Sequence, residues 1–268
     1  MIGDEFKDKT IIITGGGTGI GRSFAAHFAA RGATVVLAAR QQDRLEATAK
    51  KIRDNGGKAI PVELDIRKPG MVDDVMDRVL DETGRIDVMI NNAAGNFIAR
   101  AEDLTPNGWN AVINIVLNGS AYCALAAGKR MLKQGSGKIM SVVASYAWMG
   151  GPGTVHSAAA KAGVIAMTKT LAVEWGPRNI QVNCLCPGFV DTEQSRSVLW
   201  PTKEAQDHLL ARIPAGRFGT IEETVGAGAF LCSPAADYIN GEVLTIDGGE
   251  WLNKGAFILP EGDRHAAG

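Results

Sequence analysis

The sequence predicts an α/β protein in which seven parallel strands form one doubly wound sheet. Short runs rich in β-branched residues alternate with longer amphipathic segments along almost the whole chain. A glycine-rich segment, residues 15–21, lies between the first such run and the first helical segment. The composition of the 268 residues shows no break and no internal repeat, so we expect a single domain over residues 1–268.

The strands and helices follow one another in regular order. Apolar, largely β-branched runs predict strands at residues 10–14, 34–39, 59–64, 86–90, 139–143, 181–185 and 242–247. Amphipathic or alanine-rich segments predict helices at residues 22–31, 42–55, 69–83, 107–132, 157–175 and 221–231. Proline and glycine mark several ends: Pro69 and Pro106 open helices, and Gly56 and Gly176 close them. Six strand–helix units and a final strand result.

The first turn of the predicted sheet has the composition of a phosphate-binding loop. Its glycines let the backbone turn tightly and approach a pyrophosphate, whose charge the free N–H groups of the following helix can hold. A plain flexible turn is the alternative, but the strand before the loop and the helix after it favour a dinucleotide site. The candidate cofactor-binding residues here are Gly15, Thr18, Gly19, Ile20, Gly21 and Arg22.

Arg40 stands at the end of the second predicted strand, where an acidic residue would hold the ribose 2′-hydroxyl of NAD. A guanidinium there suits the 2′-phosphate of NADP, and Arg22 would add a second positive charge. The alternative is a solvated surface arginine. We therefore predict NADP(H) as the cofactor.

Residues 139–161 combine a strand, a glycine-rich turn and the start of a helix. Ser157 and Lys161 are one helical turn apart on the same face, and Tyr146 follows the carboxyl end of the strand. We expect the three side chains to meet at one cleft.

Together with the glycine loop, this stretch resembles the short-chain dehydrogenase/reductase family, which has a Rossmann-like fold and a Y-x-x-x-K signature. The chain departs from the family pattern at three positions. Ser157 replaces the signature tyrosine, Ala144 replaces the usual serine, and Val116 replaces the helix asparagine. The displaced Tyr146 and the string Asn-Asn-Ala-Ala-Gly-Asn-Phe at residues 91–97 are similar to the 2,4-dienoyl-CoA reductase branch of the family.

The resemblance implies roles for individual residues. Tyr146 and Asn96 would donate hydrogen bonds to the thioester oxygen, Lys161 would hold the nicotinamide ribose, and Ser157 would position the lysine and the cofactor. Further cofactor contacts would come from Asp65, Ile66, Asn92, Pro187, Gly188, Val190 and Thr192. The implied reaction is NADPH-dependent reduction of a 2,4-dienoyl-CoA to a 3-enoyl-CoA.

Two other functions remain open at this point. One is a carbonyl or 3-oxoacyl reductase of the same family, and the other is a non-catalytic NADPH-binding protein. The balance of 28 Lys and Arg against 29 Asp and Glu gives no global field for nucleic acid. The longest apolar runs, such as residues 112–117, are too short to span a bilayer, so we expect a cytoplasmic protein without a membrane partner.

Other features complete the expectations. Four scattered cysteines predict buried thiols, and neither they nor the four histidines form a metal-ligand cluster, so His156 receives no catalytic role and no metal is expected. The apolar helix at residues 107–132 predicts packing against a second subunit, in a homo-oligomer for which we favour a tetramer. Residues 191–214 suggest either a lid over an acyl-CoA-like substrate or a surface insertion. We expect the tail from about residue 260 to be frayed.

Overall fold

A computed structural model describes residues 5–192, 195–196 and 200–253. Its seven strands form one parallel sheet in the order β3-β2-β1-β4-β5-β6-β7, which confirms the predicted doubly wound α/β fold. The strands are β1 (Thr10–Thr14), β2 (Thr34–Ala39), β3 (Lys58–Glu63), β4 (Val88–Asn91), β5 (Gly137–Val142), β6 (Ile180–Pro187) and β7 (Val243–Ile246).

Helices cover both faces of the sheet. They are α1 (Gly19–Ala29), α2 (Gln42–Asp54), α3 (Pro69–Thr83), α4 (Pro106–Ile113), α5 (Gly119–Gln134), α6 (Tyr146–Met149), α7 (Val155–Trp175), α8 (Lys203–Leu210) and α9 (Ile221–Cys232). Helices α3, α5 and α7 pack together on one face, and α1, α2 and α9 on the other. Five of the six helices predicted from the sequence are present with ends that differ by a few residues, and the sixth, predicted at residues 107–132, is divided into α4 and α5.

The core lies in two layers, one on each side of the sheet. Along β1, Ile12 contributes to the layer under α3 and α5, whereas Ile11 and Ile13 contribute to the layer under α1 and α9. Every residue of β1 is buried. Burial on both faces explains why the strands are continuous apolar runs without a polar alternation.

Because every strand pairing is parallel, all carboxyl ends of the strands meet at the same edge of the sheet. Ile13 of β1 pairs with Leu37 of β2 on one side and with Ile90 of β4 on the other. The order in which strands are added to the sheet therefore reverses at β1. Sheets of this kind bind ligands in the crevice at this switch point.

The helix predicted at residues 107–132 differs from the expectation. A π-helical segment, Asn114–Asn118, interrupts it between α4 and α5, and Val116 of this segment packs against Ala160 of α7. The combined span Pro106–Gln134 is long and apolar enough to cross a membrane by length and composition. Half of its most apolar window is buried inside the protein, so this single helix is weak evidence for a membrane segment.

The segment at residues 191–214 contains a helix, α8, that the sequence analysis did not predict. Trp200, just before it, is buried and stacks on Phe218 with ring centroids 4.8 Å apart. Residues 193–194 and 197–199 and the tail from 260 lie outside the described residues. Both interpretations of this segment, lid and insertion, remain predictions.

Candidate active site at the carboxyl edge of the sheet

The glycine loop between β1 and α1 packs closely against α1 and the end of β4 because Gly21 lacks a side chain. A Cβ on Gly21 would lie 2.3 Å from the carbonyl oxygen of Gly15, whereas a Cβ on Gly19 would meet nothing within 4 Å. Gly15 and Gly19 both have positive φ values, 68° and 50°, which favour glycine. Thr18 forms no side-chain cap, so the first N–H groups of α1 keep their capacity to bind an anion such as a pyrophosphate.

Asn92 fixes this loop to the end of β4. Its side-chain amide donates to the carbonyl oxygen of Thr14 at 2.9 Å, and its backbone N–H donates to the Thr14 hydroxyl at 3.0 Å. The same amide nitrogen would lie 2.6 Å from a Cβ on Gly21. Asn92 thus supports the loop from beneath, and a direct contact with the cofactor remains a prediction.

Just after β3, at the position predicted to bind the adenosine part of the cofactor, two charged side chains form an ion pair. Arg67 binds both carboxylate oxygens of Asp65, with Nε–Oδ1 and Nη2–Oδ2 distances of 2.8 and 2.6 Å. This pairing, with a further contribution from the nearby charge of Arg40, lowers the pKa of Asp65 to about 2. The carboxylate is therefore ionised and already occupied by a cation.

The two arginines predicted to bind the 2′-phosphate have different neighbours. Arg40 is exposed immediately after β2, and its charge contributes to lowering the pKa of Asp65. Arg22 lies in a groove between α1 and α2 with Thr48 and Lys51. Arg40 is thus the better placed of the two at the strand end.

The three residues predicted to meet beyond β5 occupy adjoining elements. Tyr146 begins the one-turn helix α6, and not the strand end itself, and its hydroxyl lies 2.9 Å from the Ser157 hydroxyl in the first turn of α7. One turn further along α7, Lys161 donates from Nζ to the carbonyl oxygen of Val142 at 2.5 Å. The predicted meeting of Tyr146 and Ser157 is confirmed, and Lys161 lies beside them at the end of β5.

Burial changes the acidity of these groups. Desolvation lowers the pKa of Lys161 to about 8, with a small opposing effect from the thiols of Cys184 and Cys186. Desolvation also raises the pKa of Tyr146, and its hydrogen bond with Ser157 opposes that shift. At neutral pH the site therefore holds a protonated phenol and a buried ammonium.

Asn96 lies in the loop after β4. Its side-chain oxygen accepts a hydrogen bond from the backbone N–H of Phe97 at 2.9 Å. The side chain is exposed, and the described residues give its amide N–H₂ group no acceptor. This orientation leaves Asn96 able to donate to a ligand.

The remaining predicted cofactor residues lie near the ends of β3 and β6. Ile66 is buried, and its side chain packs against Gly119 of α5, where a Cβ would lie 2.6 Å from it. Pro187 ends β6, and Gly188 lies against Asp247. Val190 is buried, and the Thr192 hydroxyl hydrogen-bonds with the Ser195 hydroxyl at 2.7 Å. Their contacts with a nicotinamide remain predictions.

Residues 15–250 match the family model described as enoyl-(acyl carrier protein) reductase, a model of short-chain dehydrogenases/reductases. The chain belongs to the short-chain dehydrogenase/reductase family. It is therefore an oxidoreductase of the class that uses a nicotinamide cofactor.

Three relatives of this short-chain dehydrogenase/reductase have names that bear on its reaction. A Bacillus subtilis (strain 168) protein named as a probable 2,4-dienoyl-CoA reductase producing (2E)-enoyl-CoA is 44% identical over 92% of this chain and 98% of its own. The rat peroxisomal 2,4-dienoyl-CoA reductase, named as producing (3E)-enoyl-CoA, is 36% identical over 93% of this chain and 86% of its own. The 3-oxoacyl-[acyl-carrier-protein] reductase FabG of Thermotoga maritima is 37% identical over 91% of this chain and 98% of its own.

Solved structures of the family show the same fold. A short chain dehydrogenase from Bacillus anthracis superposes with a TM-score of 0.83 at 46% identity, over 91% of this chain and 97% of its own. A Beutenbergia cavernae structure with NADP bound at low occupancy has a TM-score of 0.87 at 36% identity, over 93% and 98% of the two chains.

Three features of the site were missed by the sequence analysis. Arg67 could have been noticed as a cation two residues after Asp65 in the same strand-end turn. His156 was given no role, yet it lies fully buried between Ser157 and the loop that carries Asn96. The edge-to-face pair of Trp148 and Trp251, with ring centroids 5.8 Å apart, joins elements whose proximity no local pattern reveals.

Among the described residues, no group of three or more His, Cys, Asp or Glu side chains has the arrangement of a metal site. The thiols of Cys123, Cys184, Cys186 and Cys232 are free and buried, and burial raises the pKa of each to between about 11 and about 12. They are poor nucleophiles in this state.

Proposed function

We propose that this short-chain dehydrogenase/reductase uses NADPH to reduce the conjugated acyl group of a 2,4-dienoyl-CoA thioester. The observation that carries the proposal is the 2.9 Å contact between the Tyr146 and Ser157 hydroxyls. It means that the hydroxyl of Tyr146 lies next to Ser157, the helix position at which the family signature has its tyrosine. The phenol thus returns to the site from a different direction.

The reaction needs stabilisation of charge far from the carbon that is attacked. When bound, the reduced nicotinamide supplies a hydride to the far carbon of the diene, C5. The electron pair displaced by the hydride runs back through the conjugated system onto the thioester oxygen, where hydrogen-bond donors must hold it. Tyr146 and Asn96 both have a donor available for this purpose, one partly buried and one exposed at the loop.

A proton then completes the two-electron reduction. Protonation of the dienolate at C2 gives a 3-enoyl-CoA, whereas protonation at C4 gives a 2-enoyl-CoA. The names of the rat and Bacillus subtilis relatives differ on this point. We propose the 3-enoyl product, with Tyr146 supplying the acid or oxyanion donor.

NADPH is the proposed cofactor because Arg40, and not an acidic residue, follows β2. The ion pair of Asp65 with Arg67 adds support, since Arg67 neutralises the Asp65 carboxylate, which would otherwise repel the 2′-phosphate of NADPH. NADP bound to the Beutenbergia cavernae structure is consistent with this preference. Lys161 is proposed to hold the nicotinamide ribose, because it is the buried cation closest along α7 to the Tyr146–Ser157 pair.

A 3-oxoacyl reductase is the second candidate, and the similarity to the Thermotoga maritima enzyme favours it. That reaction would protonate the carbonyl oxygen of the carbon that receives the hydride. It needs one acid close to the hydride acceptor and has no need of Asn96.

NADPH oxidation at 340 nm should be measured with 2,4-decadienoyl-CoA, a 3-oxoacyl-CoA and a simple ketone, and the enoyl product identified by NMR. We expect the dienoyl-CoA to have the highest kcat/KM and to yield the 3-enoyl isomer. A higher kcat/KM for the 3-oxoacyl-CoA would favour the second candidate. NADPH binding without turnover of any of the three would indicate a non-catalytic protein.

A further inference from the structure

The loop that carries Asn96 has little regular structure to hold it. No helix or strand covers residues 92–100. A backbone hydrogen bond of 3.1 Å, from Ala99 N–H to the Gly153 carbonyl oxygen, joins the far part of the loop to the segment before α7. Within the described part of the chain, the Asn96 side chain makes one hydrogen bond, which its oxygen accepts from the backbone N–H of Phe97. Contacts that hold Phe97 in position therefore also affect the position of the Asn96 amide.

The ring of Phe97 packs against the imidazole of His156 and also lies close to Gly108 of α4. Their ring centroids are 4.5 Å apart at an interplanar angle of 55°, which is close for an aromatic pair. The phenyl ring is 40% exposed, while the imidazole is completely buried. The buried partner gives the loop a rigid surface to pack against.

His156 also adjoins Ser157, the hydrogen-bond partner of the other proposed donor, Tyr146. It precedes Ser157 in the first turn of α7, and the Ser157 hydroxyl contacts the Tyr146 hydroxyl at 2.9 Å. One residue thus links the two groups proposed to hold the thioester oxygen. Its ring packs against Phe97, the neighbour of Asn96, and its backbone is bonded to Ser157.

Hydrogen bonds do not hold the imidazole of His156 in position. Among the described residues neither of its ring nitrogens has a partner, although both are buried. An unsatisfied buried polar group costs on the order of 1–3 kcal/mol, so such groups in a native fold call for an explanation. Packing of the ring against Phe97 supplies one.

From this geometry we infer that His156 is a positioning residue, which sets the distance between the Asn96 and Tyr146 donors by packing against Phe97. The inference rests on the proposed reduction of a dienoyl thioester. It assigns His156 no proton transfer and no contact with substrate. It requires that the shape of the ring matters more than its nitrogens.

The test is the single-turnover rate of NADPH oxidation with 2,4-decadienoyl-CoA, measured beside the dissociation constant of NADPH. His156→Ala should slow turnover at least tenfold and leave the NADPH dissociation constant within twofold, because the cofactor residues are untouched. His156→Phe, which keeps an aromatic ring, should remain within threefold of the wild-type rate. Phe97→Ala removes the other ring and should reproduce the His156→Ala result, which keeps the test valid if His156→Ala does not fold.

A double variant tests whether His156 acts through Asn96. Asn96→Ala/His156→Ala should be no slower than Asn96→Ala alone, since a donor that is absent cannot be misplaced. The matched control is His27→Ala, which removes an imidazole packed edge-to-face on Phe28 in the last turn of α1. It should leave turnover unchanged.

The outcomes separate the two proposals. If Asn96→Ala is slow while His156→Ala and Phe97→Ala are within twofold of wild type, the positioning role is wrong and the proposed function stands. If His156→Phe is as slow as His156→Ala, the nitrogens matter and the packing argument is wrong. If wild type reduces no dienoyl-CoA, or Asn96→Ala has the wild-type rate, the proposed donor pair is wrong and the role of His156 falls with it.

Discussion

In our proposal, Tyr146 performs the role of the family's signature tyrosine from a different position in the chain. Its phenol comes from α6, before a glycine-rich turn, and reaches Ser157 on α7 across 11 positions of sequence. Serine alone could not replace the signature tyrosine, because its hydroxyl is far less acidic and its side chain is shorter. The structure thus explains why Ser157 is accompanied by Tyr146.

Tyr146→Phe should lower dienoyl-CoA turnover about a hundredfold to a thousandfold, because loss of one oxyanion donor costs about 2.7–4 kcal/mol. Folding and NADPH affinity should persist, since the ring remains. Ser157→Ala should cost less, because it removes only the partner of the phenol. Single-turnover NADPH oxidation checks both, with the exposed Tyr238→Phe as control. A near-wild-type rate for Tyr146→Phe would contradict the relocated-tyrosine mechanism.

Arg40 sets the cofactor preference in our proposal. Charge-assisted hydrogen bonds to a phosphate contribute about 1.5–3 kcal/mol, so NADPH should bind roughly tenfold to a hundredfold more tightly than NADH. Arg40→Asp should reverse or abolish this preference. Fluorescence titration with both cofactors measures it, and Arg78→Asp on the exposed side of α3 makes the same charge change as a control. Equal affinities in the wild type would refute the proposal.

Lys161 gives the site a predicted pH dependence. Burial lowers its pKa to about 8, from about 10.4 in an unfolded chain. Between these values the unfolded chain binds more protons, so this group makes folding stability rise with pH from about 8 to about 10.4. Cofactor affinity should change in the opposite direction, since the ammonium proposed to hold the nicotinamide ribose is lost as pH rises through about 8.

The NADPH dissociation constant should therefore increase between pH 7 and pH 9.5, with a midpoint near 8. Lys161→Ala should weaken NADPH binding, nearly abolish turnover and remove this titration. Isothermal titration calorimetry in buffers of different ionisation enthalpy would detect the linked proton. A pH-independent dissociation constant in the wild type would show that Lys161 does not titrate in this range.

At the scale of elements, the glycine loop is defined by what it excludes. Gly21 opens the way for α1 to approach the end of β1, because any Cβ there would meet the Gly15 carbonyl oxygen and the Asn92 amide. The loop, α1 and the end of β4 are thus packed as one unit. Its shape depends on the missing side chains and on the hydrogen bonds from Asn92 to Thr14.

Gly21→Ala should lower stability by about 1–3 kcal/mol through overpacking and weaken NADPH binding, because the loop must shift to relieve the contact. Gly70→Ala is the matched control, since a Cβ on this α3 residue would meet nothing within 4 Å. Thermal unfolding and NADPH titration of the two variants are the measurements. If the two variants behaved alike, the close packing around Gly21 would not matter for the loop.

At the scale of the whole molecule, the carboxyl edge of one sheet gathers the proposed donors and cofactor residues, while the outer helices carry apolar surface. Leu125 on α5 is 44% exposed and Val173 on α7 is 81% exposed. These two helices contact each other, and exposed apolar surface on neighbouring helices favours association. This supports the homo-oligomer predicted from the apolar helix.

We expect a tetramer, with a mass in light scattering four times the 28.3 kDa of the chain. Leu125→Glu should reduce this mass, because it places a charge within a helix face predicted to be covered. Phe230→Glu, on α9 at the opposite face of the sheet and 41% exposed, is the comparison variant and should leave the mass unchanged. A monomeric wild type would contradict the prediction.

The sequence by itself determined the order of strands and helices, the glycine loop and the absence of an acid after β2. These features have local signals, because strand and helix periods, turn residues and strand-end positions are all written within a few neighbouring residues. It also indicated that Tyr146, Ser157 and Lys161 would lie close together, because a strand, a turn and a helix of known lengths connect them.

Only the tertiary structure decided which side chains contact one another. The pairing of Arg67 with Asp65, the packing of His156 on Phe97 and the contact of Trp148 with Trp251 depend on rotamers and on the course of loops. The last two pairs join residues distant in the chain, so no periodicity encodes them. The π-helical segment at Asn114–Asn118 and the one-turn helix α6 likewise follow from packing against α7, which overrides the local helix and strand preferences.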